Sequence, residues 1–560
     1  PDAGAALVAD YERHTTAVRH LYDSFLRGTR VDADEAPELP PDAITLFFTS
    51  DLPLDEVRSR LASVGFEDVE RALRNFQLMR EGQSFARVTP EVRRALGQMA
   101  PPLLAALGEV PDPDLALTTF ERFIAGLTAR TTFLGLLAET PGLVGLLVRL
   151  FGTSEFLSAT LLRQPEFLDT LLGPDPAAVH DRDRIAEDLR RAIQGAEAGS
   201  ARLDALRRVK KGEELRIGLA DILEQAEVTE THRALTALAE ACLTTALGMA
   251  EQDLAVRFGR PDPAGFCIVG MGKLGGMELG YGSDLDILFV YRDEGETTGP
   301  DRISHPEYFS KLADRVTKIL TSITQEGAAY RVDARLRPGG QKGEVALSLQ
   351  GFESYLARLA DLWERQAYIK ARPVAGDPEV GAAFLDRARR FVYEGPEEPD
   401  LAERILAMRQ RIEAERVGAG SKTTHVKLGS GGIMDVEFLV QYLQLRHGRL
   451  HPALRTPSTL TALRALGQAD LLAATDAAVL EESYRFLRRV ETRLRIVADL
   501  GVNTLPSAPA KLERLAKRMG YLPQADASAR ERFLEDYAAH TGRVRGIVQR
   551  VFGTSGGGRD

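Results

Sequence analysis

Apolar positions, rich in Leu and Ala, recur at helical spacing across residues 54–252, and Pro101, Pro102, Pro111, Pro113, Pro141, Pro165 and Pro174 read as the breaks between successive helices. Near Arg260 the pattern changes, with denser glycine and β-branched and aromatic runs in place of the helical stripe. A proline- and acid-rich break at residues 394–400 closes that region, and helical periodicity returns over 401–552. The pattern therefore predicts a mainly α protein with an α/β insert. Its expected parts are an N-terminal helical region (54–255), the α/β domain (256–395) and a C-terminal helical bundle (400–553).

The ends change this picture. Asp10, Tyr11, His14, Thr15, Val18 and Arg19 recur at identical spacing as Asp536, Tyr537, His540, Thr541, Val544 and Arg545, so residues 1–53 are read as the closing helix of a preceding repeat plus an acidic, proline-bearing linker. The chain opens at Pro1 with no charged-then-apolar leader, so no secretory signal is expected and the start is read as lying inside a longer chain. The glycine-rich stretch 554–560 is expected to be a disordered tail.

Composition narrows the function classes. At 560 residues the chain is long enough for several domains, and 44% apolar with 27% charged residues is ordinary for a folded protein. A net charge of −10 disfavours nonspecific nucleic-acid binding. The most apolar stretch, 133–151, is interrupted by Glu139, Pro141 and Arg149, so no membrane span is expected. Cys242 and Cys267 are the only cysteines and no CxxC or HExxH spacing occurs, so neither a disulfide framework nor a zinc site is expected, and a reducing, cytoplasmic setting is.

The chemistry concentrates in the α/β region. A short apolar strand, Phe266 to Val269, runs into Gly270, Gly272, Lys273, Gly275 and Gly276, a turn able to bring backbone N–H groups to an anion. The G-x-G-x-x-G spacing resembles a dinucleotide fingerprint, but about ten residues before the next strand are too few for a crossover helix. Cys267 and Leu274 occupy positions that a P-loop reserves for Gly and Ser/Thr. The next strand follows Ser283 and carries Asp284 and Asp286 at i and i+2, hence on one face. Such a pair repels unless a cation lies between, and an all-oxygen donor set favours magnesium. A third carboxylate, Asp333, sits in Tyr330–Pro338, where alternation places Arg331, Asp333, Arg335 and Arg337 on one face, an arrangement suited to a metal-bound triphosphate. An isolated D-x-D is usually a solvated pair; three carboxylates with a glycine turn and bracketing arginines suit nucleotidyl transfer. The only G-x-S-x-G, at 553–557, lacks the strand-to-helix context of a nucleophile elbow. Two further segments stand out. Leu362 to Pro373 reads as a helix with the only tryptophan, Trp363, and with Lys370 and Arg372 as phosphate contacts or dipole partners. Val426 to Phe438 reads as a glycine loop opening a helix, with Asp435 and Glu437 in its first turn.

Together, the runs Gly270–Tyr291, Arg331–Pro338, Trp363–Asp377 and Lys427–Gln441 resemble the bifunctional glutamine synthetase adenylyltransferase/adenylyl-removing enzymes of bacteria. The resemblance implies a polymerase-β-like nucleotidyltransferase domain flanked by helical domains. It places Asp284, Asp286 and Asp333 at catalytic and Mg2+ positions, with Gly272, Lys273, Ser283, Arg335, Arg337 and Lys370 near ATP. It implies glutamine synthetase as the protein substrate and the PII signalling protein as a regulator. The family has an adenylylating half and a half that removes AMP with phosphate. Gly280–Ser283 resembles the former, while Trp363–Arg365, Lys427–Gly429 and Leu487–Glu491 resemble the latter. A closing helix of a preceding copy at residues 7–25 favours the second, adenylylating half. Phosphorolytic removal of AMP and a non-catalytic nucleotide-binding module are the alternatives.

Overall fold

The computed structural model describes residues 54–81, 89–127, 130–172, 175, 177–197, 199–340, 343–395, 398–417, 424–497 and 501–555. The expected repeat helix and linker in 1–53 and the tail beyond Ser555 lie outside the described residues. Helix predominates and strand is sparse, as the periodicity predicts. The described residues form two compact units: those up to Ala178 with Gly218–Gln225, and Val179–Ile217 with those from Ala226 onward.

The first unit is helical. Three of its helices begin on a proline at their first position, Pro90–Glu109, Pro113–Gly126 and Pro141–Thr153, where the missing N–H costs nothing. Thr89, Asp112 and Ser154 accept from backbone N–H groups as N-caps. Pro101 and Pro102, expected to be breaks, lie inside Pro90–Glu109. That helix buries Leu96, Met99, Leu103 and Leu107, and this apolar face outweighs the local proline cost. Phe120, Phe123 and Phe151 form its aromatic centre. Among the described residues no single helix is long and apolar enough to cross a membrane.

The second unit is built on a five-stranded sheet: β1 (Phe266–Gly270), β2 (Leu285–Tyr291), β3 (Val332–Asp333), β4 (Ala346–Ser348) and β5 (Arg372–Gly376). β1 lies between β2 and β5, antiparallel to both, while β3 and β4 run parallel to successive parts of β2. β2 is thus the interior strand that its unbroken apolar run predicts. Alternation sorts its two faces. Phe266, Phe289 and Tyr291 stack on Phe309 of the helix His305–Thr321 or on one another, with ring centroids 4.7–5.9 Å apart. Cys267, Val269, Leu288 and Val290 point the other way, into a core that continues through Phe384, Val436, Leu439, Tyr442 and Leu487 to Val544 and Val548. The sheet and the C-terminal helices therefore share one core.

Three helices matter for the site: α1 (Val228–Phe258), α2 (Ile433–His447) and α3 (Ala474–Arg495). The turn after β1 forms a short helix, Gly272–Gly275, pressed against β5. A Cβ at Gly275 would stand 1.7 Å from the Lys370 carbonyl oxygen and 2.6 Å from that of Gly270. Both obstacles are backbone and cannot yield cheaply. Gly275→Ala is expected to lower the chemical-denaturation stability of this unit by about 1–3 kcal/mol, whereas Gly248→Ala, with open space around it, should leave it unchanged or slightly raised.

Candidate functional site

Parallel pairing of β2 with β3 sets Leu285 against Val332 and Asp286 against Asp333, so two carboxylates meet as direct cross-strand neighbours. Asp284 precedes β2 by one residue and is exposed. β3 is shorter than the expected strand, and the alternation stops at Asp333. There the carboxylate accepts the Arg335 backbone N–H at 2.9 Å and turns the chain, so Arg335 and Arg337 lie in a following turn.

The charges around these carboxylates are unequal. Asp284 Oδ1 accepts from Arg331 Nε at 2.5 Å, and Arg331 Nη2 also donates to the Gly282 carbonyl at 2.8 Å. Asp333 accepts from Arg335 Nε at 2.9 and 3.0 Å and from Nη2 at 2.5 Å, and this fork holds its carboxyl below the usual aspartate range. Among the described residues no guanidinium hydrogen bond reaches Asp286, and Arg335 acts on it only through space. Burial first, then the neighbouring Asp333 and Asp284, push it up to about 6 despite the opposing charges of Lys427 and Lys273.

The glycine turn closes over Asp286. Met271 N–H donates to the Asp286 carbonyl at 2.8 Å, extending the ladder past β1. Gly272 has φ +51°, and a Cβ there would stand 2.6 Å from Asp286 Oδ2, so only glycine fits.

The other expected contacts have definite places. Lys273 Nζ is buried and donates to Glu491 Oε1 of α3 at 2.7 Å; burial lowers its pKa well below the usual lysine range, though Glu491 opposes this. Ser283 Oγ accepts from Arg495 Nη1 at 3.2 Å and from the Gly280 N–H at 3.3 Å. Lys370 donates to Glu278 Oε2 at 2.6 Å and Thr459 Oγ1 at 3.1 Å, inside the protein. Trp363 is exposed rather than in the core. Asp435 caps the Gly431 N–H at 2.7 Å and lies 2.6 Å from Arg409 Nε, while Glu437 accepts from Tyr484 at 3.2 Å. These contacts give the two acids of the Gly432 loop structural tasks.

Sequence reasoning missed the buried network linking the glycine turn to α3. Glu278 receives Lys370 and Tyr484 on one carboxylate oxygen and the Thr459 N–H on the other, and Arg488 Nη2 donates to its carbonyl at 2.5 Å. Glu491 receives Lys273 and Arg495, with Arg488 Nη1 at 3.5 Å. The available signal was Leu487–Arg495, where Arg488, Glu491 and Arg495 share one helical face.

The site suits an oxygen-coordinated cation beneath an anionic substrate. Burial and its acidic neighbours destabilise the Asp286 carboxylate, which Lys427 and Lys273 only partly oppose, and Gly272 leaves beside its Oδ2 the space a side chain would take. Among the described residues the three aspartates do not close into one ligand cluster, because Arg331 draws Asp284 and Arg335 draws Asp333. The two arginine side chains are 61% and 70% exposed, so solvent screens each pair and a stronger partner can displace it.

Two outcomes follow. Because the Asp286 pKa is raised on folding, the folded chain binds this proton more tightly than the unfolded chain, and stability falls as pH rises from the ordinary aspartate range through about 6. Asp286→Asn should therefore exceed the wild type in denaturant stability by roughly 1–3 kcal/mol at about pH 8, with the gap closing below about pH 4; equal stability at about pH 8 would contradict the strained-carboxylate account. Lys370→Met should cost about 3–5 kcal/mol by stranding Glu278. A variant of unchanged stability with only weakened nucleotide binding would instead make Lys370 a phosphate contact.

Comparison with known proteins agrees with the motifs. Residues 144–387 match the family described as glutamate-ammonia ligase adenylyltransferase, and residues 400–552 match the GlnD PII-uridylyltransferase family. The chain is 32% identical to the bifunctional glutamine synthetase adenylyltransferase/adenylyl-removing enzyme of Nocardia farcinica over 99% of its own length and 54% of that protein. It is 34% identical to the enzyme of that name from Mycobacterium leprae over 88% of this chain and 48% of the relative. It is 38% identical to that of Stenotrophomonas maltophilia over 71% and 42%. The chain thus spans about half the length of these curated relatives. Along nearly all its residues the chain is thus similar to about half of a bifunctional glutamine synthetase adenylyltransferase/adenylyl-removing enzyme.

Proposed function

We propose that the chain transfers AMP from ATP, with magnesium, to a tyrosine hydroxyl of glutamine synthetase. The observation that carries this reading is the cross-strand meeting of Asp286 and Asp333 under the Gly272 turn. The name its relatives carry supplies the protein substrate, and we extend the proposal to a cytoplasmic setting in nitrogen regulation with PII as the regulator.

Asp284, Asp286 and Asp333 would hold the metal, which when bound neutralises triphosphate charge and lowers the barrier to displacement at phosphorus. Arg331 and Arg335, both exposed and paired to the carboxylates, would move onto phosphate oxygens as the aspartates engage, since bidentate guanidinium–phosphate contact is stronger than an exposed ion pair. That shift frees the Asp333 carboxylate, which with Arg335 attached is a weak proton acceptor, to take the tyrosine proton. The oxygen so exposed attacks the α-phosphorus, the bond to the bridging oxygen breaks, and pyrophosphate leaves with its charge met by the same arginines. Lys273 and Ser283, tied to Glu491 and Arg495, would fix the floor of the phosphate site.

The same groups serve removal of AMP, in which phosphate attacks the phosphorus of tyrosyl-AMP, the tyrosine oxygen leaves and takes up a proton, and ADP forms; direct measurement separates the two. Unmodified and adenylylated glutamine synthetase are each incubated with the chain, supplied separately with α-labelled ATP or with phosphate. The expected result is gain of label by the unmodified enzyme with ATP, reduced about 10²–10³-fold by Asp286→Asn. Loss of AMP with phosphate as the only reaction would assign the chain to removal. Background label for wild type and variant alike, with nucleotide binding retained, would make it a binding module.

A further inference from the structure

His180, Asp188 and Glu213 bring one ligand atom each within 4.8 Å of one another, the only such group of three His, Cys, Asp or Glu side chains among the described residues. None belongs to the nucleotide site. His180 immediately precedes Asp181, the N-cap of the helix Arg182–Gln194, which carries Asp188 two turns along. Glu213 projects from the helix Ser200–Ile222.

The contacts at this cluster leave one donor unused. His180 Nδ1 lies 3.1 Å from Glu213 Oε1, which Arg216 Nε approaches at 3.6 Å. The other oxygen, Glu213 Oε2, has no hydrogen-bond partner although the side chain is only 8% exposed. A carboxylate oxygen this deep without a donor is costly and asks for a cation. Asp188 sits against Arg184 at 3.2 Å and Arg191 at 3.6 Å, both side chains more than half exposed and free to turn into solvent.

Both helices are anchored independently of the cluster. Arg182 donates to the Val374 carbonyl of β5 at 3.0 Å and lies 3.1 Å from Glu240 of α1. Arg207 donates to the carbonyls of Ile319 and Gly327 at 3.0 and 2.6 Å. The three donors are thus held in place by contacts they do not make themselves, the condition for a preorganised ligand set.

We infer that His180, Asp188 and Glu213 form a second divalent-metal site, of the zinc class, that fastens the helix Arg182–Gln194 to the helix Ser200–Ile222. One imidazole nitrogen with two carboxylates suits Zn2+, Co2+ or Mn2+, whereas Mg2+ prefers oxygen donors alone and selects the aspartate site. The role is structural: the ion joins residues 33 positions apart in sequence and stabilises the folded chain in proportion to its occupancy.

The test uses the whole chain, stripped with chelator and then titrated with Zn2+ or Co2+ in excess Mg2+. Retention of one equivalent of Zn2+ after desalting, a raised melting temperature, and Co2+ visible absorption altered by His180→Gln are expected. His180→Gln and Glu213→Gln should each weaken Zn2+ binding at least about 10²-fold, while Asp286→Asn retains it. Asp188→Asn, at a more exposed position, supplies a variant that folds should Glu213→Gln not. Failure of the wild type to retain Zn2+, or retention undiminished in the His180 and Asp188 variants, overturns the inference. The readouts need neither ATP nor glutamine synthetase, so they stand or fall separately from AMP transfer.

Discussion

Two carboxylates held side by side by backbone pairing set the terms for everything else in this molecule. The β2–β3 register fixes Asp286 opposite Asp333 whatever their charges prefer. Burial then denies Asp286 the water that would screen the repulsion. Asp284 and Asp333 escape by taking exposed arginines, and Asp286 cannot. That electrostatic cost is what a divalent cation would relieve under the proposed reading.

Holding that arrangement requires a rigid surround. The glycine turn is fastened by the Met271 N–H to Asp286, by Lys273 to Glu491 and by Arg372, which donates to the Gly275 and Leu274 carbonyls at 3.0 and 2.9 Å. Arg372 also pairs with Glu240 of α1. Glu278, Lys370, Tyr484 and Arg488 continue the network into the C-terminal helices. Buried ion pairs add little net stability, but their geometry is exacting, and here they align α3 with the turn beneath the site. The C-terminal helices are therefore part of the wall of the candidate active site and share its core.

Much of this was legible in the residues. The unbroken apolar run after Asp286 identified an interior strand, and the shortness of the Gly275–Asp286 link excluded a crossover helix, in agreement with the antiparallel β1–β2 pair; the strand itself begins only at Leu285, after Asp284. What escaped depends on tertiary contact. Pro101 and Pro102 stay helical because an apolar face holds the helix together. The alternation after Asp333 ends because its own carboxylate captures a backbone N–H two residues on. Lys370 carries a charge whose partner, Glu278, lies 92 positions away, and His180, Asp188 and Glu213 have no motif spacing at all.

The central claim is that Asp286 and Asp333 bind one divalent cation under a triphosphate. Crystals of the chain with Mn2+ and a non-hydrolysable ATP analogue, measured at the manganese edge, test it most directly. An anomalous peak bridging Asp286 and Asp333, with Arg331 and Arg335 turned onto the phosphates, is the expected result. Nucleotide bound with no peak at these carboxylates, and both arginines still on Asp284 and Asp333, would contradict it.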